Sequence, residues 1–180
     1  MEGEQTRHEE TEPQSRHDAA QVQYALDQFR SEQNLSLGIA AGAVAALVGA
    51  AVWAVVTVVT GYQIGWLAVG VGFLVGIAIR HVGKGIDPVF GIAGAILALL
   101  GCLLGNLLAV CGFIASQESI PFFEVLAQLD SSIVVELMAA TFSPMDLLFY
   151  GIAVYEGYKL SLRRITQTEL EQRISGSTAT

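Results

Sequence analysis

Three observations predict an all-α fold for this chain, an integral membrane four-helix bundle. The first is composition. Of 180 residues, 53% are hydrophobic and only 14% charged, against about 25% charged in an ordinary soluble domain. Mean hydropathy is +0.54. The second is placement. Residues 1–34 hold three basic and eight acidic side chains, whereas residues 37–79 hold none. An uncharged stretch of that length exceeds the ~20 apolar residues that a membrane helix needs. The third is the position of the nine Lys and Arg, all of which fall on one side of a four-span arrangement. The same numbers exclude disorder throughout, a disulfide-stapled miniprotein and a basic nucleic-acid binder.

Taken in chain order, residues 1–17 are polar and read as a disordered cytoplasmic tail. Residues 18–34 read as a short amphipathic interfacial helix. Asp18 is its N-cap candidate, and Val22, Ala25, Leu26 and Phe29 form its apolar stripe. A four-span membrane domain over residues 35–162 follows. Span 1 covers about residues 37–60 and reads as an uncleaved signal-anchor. Span 2 covers about residues 64–80, with Tyr62 and Trp66 as interface aromatics and Arg80-His81 at its end. Gly83, Gly85 and Pro88 make the next turn. Span 3 covers about residues 89–115. Span 4, about residues 145–162, holds Glu156 and Lys159 and is marginal by hydropathy.

Charge placement supports the fourth span. Arg7, Arg16 and Arg30 precede span 1, and Arg80 and Lys84 follow span 2. Lys159, Arg163, Arg164 and Arg173 lie at or beyond the end of span 4. The turn at residues 60–63 and the loop at 116–145 contain no Lys or Arg. Excess Lys and Arg marks cytoplasmic loops. Both termini are therefore expected in the cytoplasm, with residues 163–180 as a cytoplasmic tail. Span 4 is expected to project for a few turns before residues 175–180 fray. The net charge of −8 divides into two acidic patches, one in the N-terminal tail and one at residues 116–146.

Between Pro121 and Pro144, apolar residues recur at helical spacing while Glu124, Gln128, Ser131, Ser132 and Glu136 fall elsewhere on the wheel, and Glu124, Asp130 and Glu136 are its acids. Residues 119–142 read as an outer amphipathic segment, one helix or two broken near Asp130-Ser131-Ser132. Crossing the bilayer would bury those acids in lipid.

Glycine is placed in stripes. Gly38 and Gly42 lead into Ala46, Ala50 and Ala54 at four-residue steps. Gly61 and Gly65 form a GxxxG, and Ala68, Gly72 and Gly76 continue to Arg80. In span 3, Ala93, Gly101, Gly105 and Ala109 share one stripe, and Gly91 and Ala95 a neighbouring one. Such faces let helix backbones approach closely. They serve packing within one chain, or alternatively homo-oligomerisation.

Four polar residues fall at membrane depth: Arg80, Asn106, Glu156 and Lys159. A carboxylate there must be paired, protonated or facing water. An ion pair of Glu156 with Lys159 or Arg80, tying span 4 to span 2, is the favoured reading, and an ion-coupled site is the alternative. Asn106 suits an interhelical hydrogen bond. Asp146 suits the N-terminus of span 4. Cys102 and Cys111 are nine residues apart and face opposite sides of a helix, with no metal-ligand spacing around them. No HExxH, Gly-x-Ser-x-Gly, phosphate loop or dinucleotide fingerprint occurs. Neither a catalytic residue, a cofactor nor a metal is expected.

Two stretches resemble an uncharacterised class of small bacterial multipass inner-membrane proteins. One runs from Thr60-Gly61-Tyr62-Gln63-Ile64-Gly65 through Val69-Gly70-Val71-Gly72 and Val75-Gly76 to Arg80. The other joins Asp146-Leu147-Leu148-Phe149-Tyr150 to Ala153-Val154-Tyr155-Glu156-Gly157-Tyr158-Lys159. Together they cover roughly a fifth of the chain. Some members of that class carry a zinc module before the first span; here that region has neither Cys nor paired His ligands. The resemblance implies a bacterial inner membrane and no particular activity. The expected role is non-enzymatic, in assembly or partner binding. Its partners would be the lipid bilayer, further copies or another membrane protein, and not nucleic acid. The alternative is an oligomeric small channel or ion-coupled transporter using Glu156, Lys159 and Arg80.

Overall fold

The computed structural model describes residues 19–177. The disordered tail expected at residues 1–17, the Asp18 cap and residues 178–180 lie outside them. The described chain is all helical, with no strand. A first helix, α1, covers residues 19–31. It is followed by α2 (Leu35–Thr60), α3 (Trp66–Gly83), α4 (Pro88–Glu118), α5 (Phe122–Ala127), α6 (Ser131–Thr141), α7 (Pro144–Ser161) and α8 (Gln167–Ser177). Two compact units result: Asn34–Arg163, and the two ends of the chain.

Helix boundaries have local causes. The Asn34 side chain accepts from Leu37 N–H at 3.0 Å and starts α2. Gly61, at φ 71°, ends it with its N–H on Thr57 O, the left-handed cap that glycine adopts without strain. Gly61 therefore lies outside any helix. The expected Gly61–Gly65 packing pair is not formed, because α2 has ended at Thr60 and α3 starts only at Trp66. Pro88 opens α4, where its missing N–H costs nothing. At the start of α7, the Ser143 hydroxyl accepts from Met145 N–H at 3.3 Å, and the Asp146 carboxylate accepts from Ser143 N–H at 2.8 Å.

Helices α2, α3 and α4 are long and apolar enough to cross a membrane. With 18 residues α7 is as long as α3, but it carries Asp146, Glu156 and Lys159 and does not qualify alone. Joined to α6 it does, across a bend of 103°.

Close approaches at glycines fix the directions within the Asn34–Arg163 unit. Ala46 faces Gly101, Ala50 faces Gly105 and Val58 faces Gly112, so α2 and α4 run the same way. Gly38 by Gly83 and Gly49 by Val71 make α3 antiparallel to α2. Gly72 by Ala153 and Gly76 by Leu160 make α7 parallel to α3. Since α4 runs with α2 and α7 with α3, α7 is antiparallel to α4, which it meets where Gly94 lies against Gly157. Helices α3 and α4 each pack on both α2 and α7, while the backbones of α2 and α7 stay apart. Asn34 and Arg163 consequently emerge at the same end. There Asn34 N–H donates to Gly83 O at 3.0 Å, and Arg163 N–H to Gly85 O at 2.8 Å.

Charge follows this geometry. Within the unit, every Lys and Arg (Arg80, Lys84, Lys159, Arg163) lies toward the Asn34–Arg163 end. Asp87 and Glu156 share that end, and Glu118, Glu124, Asp130, Glu136 and Asp146 lie toward the other, which holds no Lys or Arg. Trp53, Val75, Ile79 and Cys102 are fully buried between the helices. In lipid such burial supplies packing and not a water-driven force, so fit at the glycines matters most.

The outer segment is two helices, broken at residues 128–130. On α5, Val125 buries against Cys111 and Ala115 of α4. No residue of α6 is buried. Its cap is Asp130, which accepts from the Ser132 hydroxyl at 2.6 Å and from Ile133 N–H at 2.8 Å. The Ser132 bond chiefly, then the Ile133 N–H, holds this carboxyl below its ordinary pKa.

The second unit corrects one expectation. The last long helix does not project past residue 162. It ends at Ser161, and Leu162 is extended. Helix α8 then starts afresh, because Thr166 N–H and hydroxyl both donate to Glu169 Oε2, at 3.1 and 2.7 Å. This is one half of a Thr-x-x-Glu capping box. The Arg173 guanidinium of α8 lies 4.6 Å from the centre of the Phe29 ring in α1 and pairs with Glu32. The α1 stripe of Val22, Ala25, Leu26 and Phe29 is its less exposed face.

Candidate functional site

The packing glycines sit where backbones or large side chains press on them. A Cβ at Gly72 would stand 2.3 Å from Ala153 O, and one at Gly76 2.6 Å from Leu160 Cβ. At Gly42 it would meet Ile79 at 2.7 Å, at Gly101 Val71 at 2.8 Å and at Gly105 the Trp53 ring at 3.1 Å. Gly38 lies against the Gly83 backbone, and Gly65 against the Phe149 ring. A further contact escaped the sequence reading. Gly94 of α4 and Gly157 of α7 stand back to back, each Cβ position within 2.7 Å of the other's carbonyl oxygen. Beside them the Ser161 hydroxyl, fully buried, donates to Gly157 O at 2.6 Å. The signal was present as Tyr150-Ala153-Gly157-Ser161, one face at three- and four-residue steps.

Asn106 is 1% exposed, and its partner is not on another long helix. Gln63, in the α2–α3 connection, donates to Asn106 Oδ1 at 2.7 Å. The bond ties that turn to the middle of α4. Two further polar side chains are buried in the apolar core. Trp53 and Thr57 are four residues apart on α2 and are 1% and 0% exposed. Trp53 Nε1, Thr57 Oγ1 and Asn106 Nδ2 find no hydrogen-bond partner within the protein. The Trp53 ring meets Tyr150 of α7 edge-on, with centroids 6.3 Å apart. Trp and Asn offer N–H donors that do not titrate near neutrality. Gln63, Trp53 and Thr57 had no place among the sequence candidates, because Trp and Thr within an apolar run read as core.

The expected ion pair is absent. Glu156 is half-buried on α7, and no cation lies within pairing distance of it among the described residues. Lys159 is exposed, with its Nζ 5.1 Å from the Tyr155 ring centre. The parallel register explains why Arg80 stays away. Gly72 opposite Ala153 and Gly76 beside Gly157 place Arg80 level with Ser161. That is five residues, about 7 Å along the axis, beyond Glu156.

Outside the packed interior, α2, α4 and Phe122 of α5 enclose an apolar groove of about 390 Å³ with Ala51, Ala54, Val58 and Gly112 among its lining. Cys102 and Cys111 are free and buried. No protein-family model, curated protein or solved structure matches this chain.

Proposed function

We propose that this chain is a non-enzymatic multipass membrane protein of the bacterial inner membrane, with both ends in the cytoplasm and a role in assembly or partner binding. In this reading α2, α3, α4 and α7 form a four-span bundle. The observation that carries it is the split of charge along the bundle. All four Lys and Arg of the unit lie toward the end where the chain enters and leaves, beside Asp87 and Glu156, five acids and no cation lie toward the other, and three apolar helices long enough to span lie between. Positive-inside bias assigns the basic end to the cytoplasm. The glycine faces support a role without an internal pore, since they press helix against helix within one chain and Trp53 fills the centre. Resemblance to small bacterial inner-membrane proteins supports the setting.

A second reading, an oligomeric ion-coupled transporter, has one observation in its favour: Glu156 is half-buried without a cation beside it. One experiment separates the two. The protein is reconstituted in liposomes and assayed for cation flux, with its mass measured in lipid. The assembly reading expects no flux and a Glu156→Gln protein that folds normally. Flux that Glu156→Gln abolishes, in an oligomer, replaces it with the transporter.

A further inference from the structure

We propose that the basic end of the Asn34–Arg163 unit binds the headgroups of anionic phospholipids, with Arg80, Lys84 and Lys159 taking the phosphates. This rests on the membrane-spanning reading of α2, α3 and α4.

Arg80 occupies the last turn of α3 and continues the Gly72–Gly76 stripe that packs on α7. Arg80 is half-buried as a residue, and no carboxylate of the described chain pairs with it. Withdrawing a guanidinium from water without a counter-ion is costly, so an anion from outside the protein is favoured there. Lys84 is one turn further on, exposed, as the left-handed cap of α3. Lys159 is exposed on α7, and its contact is the Tyr155 ring. Arg163 N–H bonded to Gly85 O draws the end of α7 against the same turn. Three cations on two adjacent helices thus ring one end of the bundle.

Depth selects a lipid over a dissolved anion. Helix α3 has 18 residues, about 27 Å, close to the ~30 Å hydrocarbon thickness. Its final turn therefore falls at headgroup level. Tyr155 and Tyr158, 56% and 38% exposed, flank Lys159 on α7, as aromatics do at membrane interfaces. Phosphodiester oxygens accept the forked N–H groups of Arg and the point charge of Lys. Counted with Asp87 and Glu156, the four cations Arg80, Lys84, Lys159 and Arg163 still leave this end net positive, and zwitterionic lipid would leave that charge uncompensated.

The test uses the full-length protein in non-ionic detergent. Phosphatidylglycerol or phosphatidylcholine of identical acyl chains is added, and retained lipid is counted by native mass spectrometry. Phosphatidylglycerol is expected to be retained about tenfold more strongly or better. Each of Arg80→Gln, Lys84→Gln and Lys159→Gln should weaken it about fivefold, Arg80→Lys should keep most of it, and added salt should reduce it. Equal retention of the two lipids overturns the proposal, as does a preference that survives the triple variant. Displacement of the lipid by millimolar inorganic phosphate also overturns it, in favour of a plain anion site. If Arg80→Gln fails to fold, the Lys84→Gln/Lys159→Gln double variant, both at exposed positions, carries the same expectation. Recovery of the wild-type protein in the soluble fraction without detergent would overturn the membrane reading itself. Recovery in membranes without lipid preference would overturn only this inference.

Discussion

Gly72→Ala adds one methyl group at the α3–α7 contact. Its carbon would stand 2.3 Å from Ala153 O and 2.7 Å from Ala153 Cα. Ordinary contact lies near 3.5 Å, so the excess is about 1 Å. The obstructing atoms are helix backbone and cannot rotate aside. Helix α7 must shift as a body, loosening the neighbouring Gly76–Leu160 and Gly94–Ser161 contacts. Overpacking of this kind costs about 1–3 kcal/mol, and its rigid origin favours the upper figure. Ala regains about 1 kcal/mol of helix propensity over Gly, leaving a net loss of about 2 kcal/mol. Gly70→Ala, on the same helix, meets nothing within 4 Å and keeps only the propensity gain. The two variants make the same chemical change and should differ by about 3 kcal/mol. Reversible unfolding in mixed micelles measures this, following Trp53 emission in a Trp66→Phe background. Stabilities within about 0.5 kcal/mol of each other would refute the close α3–α7 approach. A change in oligomer mass with unchanged stability would move the glycine stripe to a contact between chains.

Removing Gln63 by Q63A strands the buried Asn106 carbonyl and should cost about 1–3 kcal/mol; adding N106L should recover part of it, and a double-mutant cycle in micelles reads the coupling. The Asp130 carboxyl, held low by Ser132 and Ile133, stabilises the start of α6 above its unfolded pKa and loses this as pH falls through the lower folded value. Helicity of α6, followed by amide exchange, should therefore drop in acid below the ordinary carboxylate range, and D130N should remove that dependence. A cysteine at Ser132 should react with an impermeant thiol reagent on intact cells while one at Ser175 should not, the buried Cys102 and Cys111 giving no background; the opposite pattern would invert the proposed topology.

Much of this fold is written in local chemistry. Uncharged runs mark α2, α3 and α4, and Pro144 with Asp146 marks the start of α7. The break at Asp130-Ser131-Ser132 lies where a capping side chain meets a polar triplet. The absence of an ion pair at Glu156 was not legible, because helix register decides it. A sequence puts Arg80 and Glu156 at similar depth, but only the Gly72–Ala153 contact shows them five residues out of step. The Gln63–Asn106 bond escaped for a related reason: a loop residue 43 positions away leaves no periodic trace. The restart at Thr166 was legible as Thr-x-x-Glu, but the apolar residues beyond it hid the break.

The polarity of α7 bears on how the protein is made. A segment carrying Asp146, Glu156 and Lys159 partitions poorly into lipid by itself. Its Ala153-Gly157-Ser161 edge fits a slot whose walls are Gly72 and Gly76 of α3 and Gly94 of α4. Those walls emerge from the ribosome first. In the proposed four-span topology, integration of α7 is thus conditional on the earlier helices already standing in the bilayer, and a ribosome stalled before residue 144 would leave a three-helix intermediate with an open seam.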